Sequence, residues 1–246
     1  FDIEWLEDAF RDFANNARRA VGREVQVALP ANVSSPRGGL YVMPVFTHDF
    51  CGKLCGELAN FRRSGLNHSR PNSMNSDGVL MRELGLTPLV DQIVRFWLDP
   101  IAKALFPDFV DQDVGLDSHK AFSVHYTVVG AGDRDLAAHH DNAELTLNVN
   151  IGGTWSGGDL LCFGVGADVD LLDMQHAVTF QHALGVGILH AGAEIHQALP
   201  ITEGWRENLV IWCRSSTLRN SRCGRCGNRP KLRLTCPAND EGFTST

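Results

Sequence analysis

The chain has 246 residues, 43% of them hydrophobic, which is enough to bury the core of one large domain. Its formal net charge of -7 argues against a surface built to neutralise phosphates, so nucleic acid is not an expected partner. No stretch approaches the roughly 20 apolar residues that span a bilayer, and a membrane partner is not expected either.

The first helical pattern is followed by a break. Leu6, Phe10, Phe13 and Ala17 recur at helical spacing, so residues 2–21 are predicted to form an amphipathic helix. The segment from 29 to 39 contains Pro, Ser and Gly and is predicted to be a loop.

Two further helices are predicted before residue 106. Thr47 is a candidate N-cap for a helix that ends near Gly65, and a loop rich in Ser, Asn and Pro follows it. Thr87 and Pro88 have the chemistry of an N-cap and a first turn, and Pro100 is expected to kink or divide the helix that they begin.

The character of the chain changes after about residue 119. Short β-rich runs separated by Gly-rich turns predict strands at 121–129, 145–151, 160–163, 177–180 and 208–213. Because the helices precede the strands instead of alternating with them, a mainly β fold with N-terminal helices is predicted, an antiparallel sandwich or jelly roll.

One triplet in the β region can bind a metal ion. Among ten histidines only His139 begins an HxD triplet, with Asp141 two residues later. Residues i and i+2 of an extended chain point the same way, so this imidazole and carboxylate can bind one ion together. On its own the triplet is a weak signal, because it is expected by chance about once in one or two such chains.

A distal pair strengthens this interpretation. His196 lies across the β region, and Arg206 follows it by ten residues at the start of an apolar run. Two His and one carboxylate form the facial triad that suits iron(II) and leaves three positions open, and a buried Arg can pair with a carboxylate of a cosubstrate. His190 is a rival distal ligand, but its spacing to Arg206 fits less well, and a place in the core or beside the ligands is preferred for it.

Three segments resemble the 2-oxoglutarate and iron-dependent oxygenases of the prolyl and lysyl hydroxylase type. These are the run 139–149 (HHDNAELTLNV), the turn 157–160 (GGDL) and the run 196–206 (HQALPITEGWR). The resemblance extends over nearly the whole chain after Met43, including 70–75, 116–122 and 240–243.

The resemblance implies a double-stranded β-helix core (116–216) buttressed by N-terminal helices (1–115), with a Cys- and Arg-rich tail (217–246). It implies Fe(II), 2-oxoglutarate and O2 as cofactors, with ascorbate as a further candidate. It also implies that Tyr126 contacts the cosubstrate. Thr146 and Asn148 are alternate residues of a strand and are expected to face inward together. Asn208 stands where relatives carry Ser or Thr, so all three are further candidate cosubstrate contacts.

A protein or peptide substrate, hydroxylated at a Lys or Pro side chain with release of succinate and CO2, is the favoured function. The alternatives are a small-molecule or nucleobase oxygenase of the same chemistry, and a non-catalytic binding module that uses the Asn-rich loop from Asn67 to Asn75.

The cysteines give two weaker indications. Seven is an odd number, and their scatter favours an intracellular compartment, although an upstream targeting segment before Phe1 could be missing. Cys223, Cys226 and Cys236 in the tail supply only half of a zinc site, so zinc is not expected there. The oligomeric state is left open.

Overall fold

The computed structural model describes residues 2–23, 26–166, 169, 176–223, 227–230 and 244–245. Five α-helices occur in it: α1 (Asp8–Ala20), α2 (His48–Ser64), α3 (Thr87–Ile93), α4 (Asp99–Leu105) and α5 (Ser216–Ser221). A 3-10 turn (Ile3–Trp5) precedes α1, and a π-helical turn (Val94–Leu98) joins α3 to α4.

The predicted helices are present with shifted ends. The first begins at Asp8, not at residue 2, because Leu6 leaves the helical path to form a β-bridge with Phe46. Thr47 caps α2 as predicted, accepting a hydrogen bond from Phe50 N at 3.4 Å. The prediction that Thr87 is the next N-cap was wrong, since Leu86 occupies that position. Pro100 lies in the first turn of α4, where the helix is divided as predicted.

The strands form two antiparallel sheets, a seven-stranded major sheet and a four-stranded minor sheet. The major sheet has the order β1-β2-β8-β5-β10-β3-β11 and the minor sheet β4-β9-β6-β7. The strands are β1 (Ser34–Arg37), β2 (Leu40–Pro44), β3 (Ser118–Thr127), β4 (Leu136–His139), β5 (Leu145–Gly157), β6 (Leu160–Val165), β7 (Val178–Phe180), β8 (Val186–Ala191), β9 (Glu194–Ala198), β10 (Ile201–Arg214) and β11 (Thr244–Ser245).

Both faces of the major sheet are buried, which places the site between the sheets. On β10, Leu209 and Ile211 belong to the core shared with the helices, while Val210 belongs to the core that also contains Leu160 and Ala198 of the minor sheet. Because alternate residues of a strand face opposite sides, Arg206 and Asn208 share the side of Val210 and face the minor sheet.

Two predictions about the first half need correction. The segment 29–39 was predicted to be a loop, but Ser34–Arg37 forms strand β1, whose first three residues are exposed. Such an edge strand has no apolar alternation that sequence analysis can detect. The part predicted as a helical buttress, 1–115, therefore also adds β1 and β2 to the major sheet, where β2 pairs with β8.

In the described part of the tail, Cys223 is half-buried, whereas Cys226 and Cys236 lie outside the described residues. The prediction about zinc there thus remains a prediction. Within the described ranges, no helix has both the length and the apolar character needed to cross a membrane.

Candidate active site

The structure brings His139, Asp141 and His196 together. One potential ligand atom from each lies within 4.8 Å of the others. His139 ends β4 and pairs across the minor sheet with His196 of β9, and Asp141 follows in the next loop. The His139 and His196 Nε2 atoms lie 3.5 and 3.7 Å from Asp141 Oδ1. Atoms that each sit about 2.1 Å from one ion are at most about 4.2 Å apart, so both distances to Asp141 fit a shared metal ion.

Hydrogen bonds to the backbone orient both imidazoles for metal binding. His139 Nδ1 lies 2.8 Å from Ala137 O, and His196 Nδ1 lies 3.0 Å from Glu194 O. A carbonyl oxygen only accepts, so each Nδ1 carries a proton, and the neutral form of each ring presents its lone pair at Nε2. Burial lowers the pKa of His196 to about 3, which keeps this imidazole neutral. Although burial alone would lower the pKa of His139, Asp141 raises it above its ordinary value.

Asp141 is held as an ionised ligand. Its backbone N donates to Gly192 O at 2.8 Å, and Thr146 Oγ1 donates to its Oδ2 at 2.6 Å. This leaves Oδ1 directed at the two imidazoles. Burial would raise the pKa of this carboxyl, but His196 and His139 outweigh that effect and hold the pKa well below its usual range.

Arg206 lies on β10, opposite Tyr126 of β3, and only 1% of it is exposed. Its Nη1 donates to Gly158 O, and its guanidinium carbon lies 4.9 Å from the centre of the Tyr126 ring. Gly158 has φ +74°, and a Cβ there would lie 2.8 Å from Arg206 Nη1, so a larger residue would disturb this contact.

The Arg206 guanidinium forms no close ion pair among the described residues, and its Nε has no hydrogen-bond partner there. The effect of burial on its pKa is only partly offset by the charges of Tyr126 and Asp159. Burial lowers its pKa to about 10, so the side chain is a cation at neutral pH. A buried cation of this kind is typical of a site for an anionic ligand.

The metal cluster and Arg206 line one cavity between the two sheets. Its apolar wall comes from both sheets and includes Phe122, Val124, Leu136, Leu160, Ala198 and Val210.

The other predicted cosubstrate residues also line this cavity, with different contacts. Tyr126 packs on Arg206, as described above. Thr146, expected to face the cosubstrate, uses its hydroxyl to hold Asp141. Asn148 Oδ1 accepts a hydrogen bond of 2.7 Å from Asn208 Nδ2, so these two amides are already paired with each other. Their contact with a cosubstrate remains a prediction.

The two other histidines considered lie outside the cluster. His190 is fully buried, with its ring centre 4.8 Å from that of His196 and its Nδ1 2.8 Å from Ala191 O. This agrees with a place beside the ligands. His140 is exposed.

Three polar residues of the cavity were not predicted from the sequence. Asn72 and Asn75, predicted only as part of the Asn-rich loop and of the segment 70–75, form part of the wall, and His182 enters from the segment after β7. Trp212, which packs partly buried against the core that contains Val210, also lines the cavity. Only the alternation along β10, which gives Trp212 the parity of Arg206, could have indicated one of these.

Fold and site together define a class. Two facing antiparallel sheets that hold two His, one Asp and a buried Arg around one cavity are the arrangement of the 2-oxoglutarate and iron-dependent oxygenases, and the chain is similar to proteins of this class. Within it, the family model described as an OGFOD2-like domain matches residues 6–111.

Curated relatives carry names of the same class. The chain is 43% identical over 207 residues to 2-oxoglutarate and iron-dependent oxygenase domain-containing protein 2 of Xenopus tropicalis, covering 84% of this chain and 57% of that protein. The human protein of the same name is 42% identical over 205 residues, with 83% and 55% covered. A third relative, domain-containing protein ICU11 of Arabidopsis thaliana, is 31% identical over 230 residues, with 87% and 57% covered. The chain thus spans little more than half the length of these relatives.

Solved structures share the fold. A Trichoplax adhaerens prolyl hydroxylase in complex with a hypoxia inducible factor peptide fragment has a TM-score of 0.55 and 11% identity, with 86% of this chain and 92% of that chain covered. SnoN, an α-ketoglutarate-dependent epimerase from nogalamycin biosynthesis, has a TM-score of 0.52 and 17% identity, with 96% and 98% covered. At these identities the likeness concerns the jelly-roll architecture alone.

Proposed function

We propose that the chain is the catalytic part of an Fe(II)- and 2-oxoglutarate-dependent dioxygenase that hydroxylates a Lys or Pro side chain of a protein. The observation that carries this proposal is that the His139, Asp141 and His196 cluster shares one cavity with a buried Arg206, whose Nε has no hydrogen-bond partner among the described residues. A cation at a distance from a metal site suits a cosubstrate that chelates the metal at one end and carries a carboxylate at the other.

The chain's own residues would bind and orient the reactants. His139 and His196 would present Nε2 to iron, Asp141 would present Oδ1, and Arg206 would pair with the far carboxylate of 2-oxoglutarate. Iron(II) bound with 2-oxoglutarate supplies the oxidative chemistry, in which O2 yields succinate, CO2 and a hydroxylated carbon. The apolar wall would exclude water and hold the substrate carbon.

Two observations support a peptide as the substrate. Asn72 and Asn75 bring amide groups to the cavity wall, and within the described residues Asn75 Nδ2 has no hydrogen-bond partner. An unpaired amide donor suits the backbone carbonyl of a bound peptide. In addition, a solved prolyl hydroxylase of the same fold holds a peptide fragment.

The reaction is tested by measuring succinate release from protein reconstituted anaerobically with Fe(II) and then supplied with 2-oxoglutarate and O2. His196→Ala is expected to reduce turnover to background, and equal turnover by both proteins would refute the proposed chemistry. Parallel reactions without ascorbate test whether a reductant is needed.

The substrate is tested with a peptide library analysed by mass spectrometry. The expected product is a mass increase of about 16 Da on Lys or Pro that depends on iron and 2-oxoglutarate. Succinate release that is stimulated by small molecules and never by peptides would favour the small-molecule alternative.

A further inference from the structure

Several polar atoms of the cavity wall lack partners. Asn75 Nδ2, His182 Nε2, Arg206 Nε and Trp212 Nε1 are shielded from solvent and make no hydrogen bond within the described part of the chain. A buried donor without an acceptor destabilises the protein, so a group of them around one cavity indicates a ligand that supplies acceptors.

The protonation of His182 follows from a chain of amides. The Asn150 amide donates to two backbone carbonyls at 3.1 Å, which fixes its orientation, and it also donates to Asn208 Oδ1 at 3.3 Å. The Asn208 amide must therefore direct its Nδ2 at its other neighbours, Asn148 Oδ1 at 2.7 Å and His182 Nδ1 at 3.3 Å. His182 Nδ1 is thus the acceptor, and the single proton of the neutral ring is on Nε2.

The neutral form is itself favoured. Burial and the positive charge of Arg206 lower the pKa of His182 well below its ordinary value of 6.5. His182 Nε2 is therefore an N–H donor that has no acceptor in the part of the chain that the structure describes.

The position of His182 identifies which part of a ligand it would meet. Its partner Asn208 stands two residues after Arg206 on the same face of β10, whereas the metal ligands lie on β4, β9 and the loop after β4. His182, through its contact with Asn208, and Arg206 thus both line the cavity, and each has an N–H without a hydrogen-bond partner among the described residues. Two such donors, one of them charged, fit a carboxylate.

We infer that His182 is a further cosubstrate-binding residue, which donates Nε2–H to the far carboxylate of 2-oxoglutarate beside Arg206. This inference rests on the proposed function and assigns His182 a role in selecting a dicarboxylate over shorter 2-oxo acids. The ring is positioned for it by Asn208 and by packing against Phe180, whose ring centre is 4.8 Å away.

The test measures binding without turnover. The full chain is loaded with Mn(II), and 2-oxoglutarate or 2-oxobutanoate, which lacks the far carboxylate, is titrated by calorimetry. His182→Phe keeps the packing against Phe180 but removes the donor, whereas His182→Gln retains an N–H. His68→Phe, in an exposed position outside the cavity, is the matched control.

His182→Phe is expected to weaken 2-oxoglutarate binding about 10- to 100-fold and to leave 2-oxobutanoate binding unchanged, because a hydrogen bond to a charged group is lost only with the dicarboxylate. His182→Gln should lie nearer to the wild type, and His68→Phe should match it.

Three outcomes would overturn the inference. The first is an unchanged affinity of His182→Phe for 2-oxoglutarate. The second is an equal loss of affinity for both acids, which would indicate a purely structural role. The third is no binding of 2-oxoglutarate to the wild type. The last would refute the proposed function as well, whereas the first two would leave it intact.

Discussion

Replacing Arg206 with Met should make the ligand-free protein more stable while abolishing cosubstrate binding. The guanidinium is almost completely buried and forms no close ion pair among the described residues. Burial lowers its pKa from 12.5 to about 10. That difference corresponds to about 3 kcal/mol by which the folded protein disfavours the charged form.

The favourable contacts of Arg206 offset part of this cost. Met would lose the hydrogen bond to Gly158 O, worth about 1 kcal/mol, and part of the interaction with the rings of Tyr126 and Trp155. A net gain of about 1–2 kcal/mol therefore remains, which for a chain of this size raises Tm by a few degrees. Since both pKa values of the arginine lie far above 7, the folded and unfolded states stay protonated, and the gain should be constant from about pH 6 to 8.

Adding 2-oxoglutarate should reverse the order of stability. A ligand at 100 times its Kd stabilises the protein that binds it by about 2.7 kcal/mol, so the metal-loaded wild type should overtake a variant that cannot bind it. Urea unfolding with Mn(II), with and without 2-oxoglutarate, measures both effects. Arg63→Met, at an exposed site, should change neither by more than about 0.5 kcal/mol. A variant that is less stable than the wild type without ligand, or that gains equally from 2-oxoglutarate, would refute this reasoning.

Three further predictions concern the metal cluster and its support. Thr146→Val should weaken Mn(II) binding about 10- to 100-fold, since it removes the donor that orients Asp141, while Thr146→Ser should bind normally in the same titration. Metal binding near pH 6.5 should release a proton from His139, because its raised pKa favours the charged form in the metal-free protein. The affinity for the metal should therefore fall as the pH falls through that pKa. Calorimetry in buffers of different ionisation enthalpy measures the release, and finding none would contradict this prediction. Arg62→Met should lower the free energy of unfolding measured in urea by about 3 kcal/mol, because it removes the guanidinium contacts of 2.8 and 2.9 Å to Glu207, which is 1% exposed. The double variant with Glu207→Met should recover most of this loss.

The metal cluster could be predicted from sequence because its signals are local. The HxD triplet places His139 and Asp141 two residues apart, and the alternation along β10 places Arg206, Asn208 and Trp212 on one face. The hydrogen bonds within that face could not be predicted in the same way. Parity showed that Thr146 faces inward, but only the fold shows that its hydroxyl is used by Asp141.

The residues missed by sequence analysis lie in segments without periodicity. Asn75 belongs to the loop between α2 and α3, and His182 to the connection between β7 and β8. Neither position follows a helical or a strand repeat, and the two residues are more than 100 positions apart in the chain. They reach one cavity because the two sheets face each other, which is information about tertiary structure that no local pattern contains.

The spacing of ten residues from His196 to Arg206 helped to predict the site because these residues lie on consecutive strands, one in each of the two sheets. His196 lies on β9 in the minor sheet, and only Leu199 and Pro200 separate that strand from β10 in the major sheet. Both His196 and Arg206 face the cavity, so the number of residues between them cannot change by one without turning one side chain away. Inserting one residue between Gly204 and Arg206 would turn the guanidinium towards the helices, on the side where Glu207 now pairs with Arg62. The spacing is therefore a constraint imposed by the architecture, and it links the metal ligand on one sheet to the candidate cosubstrate residue on the other.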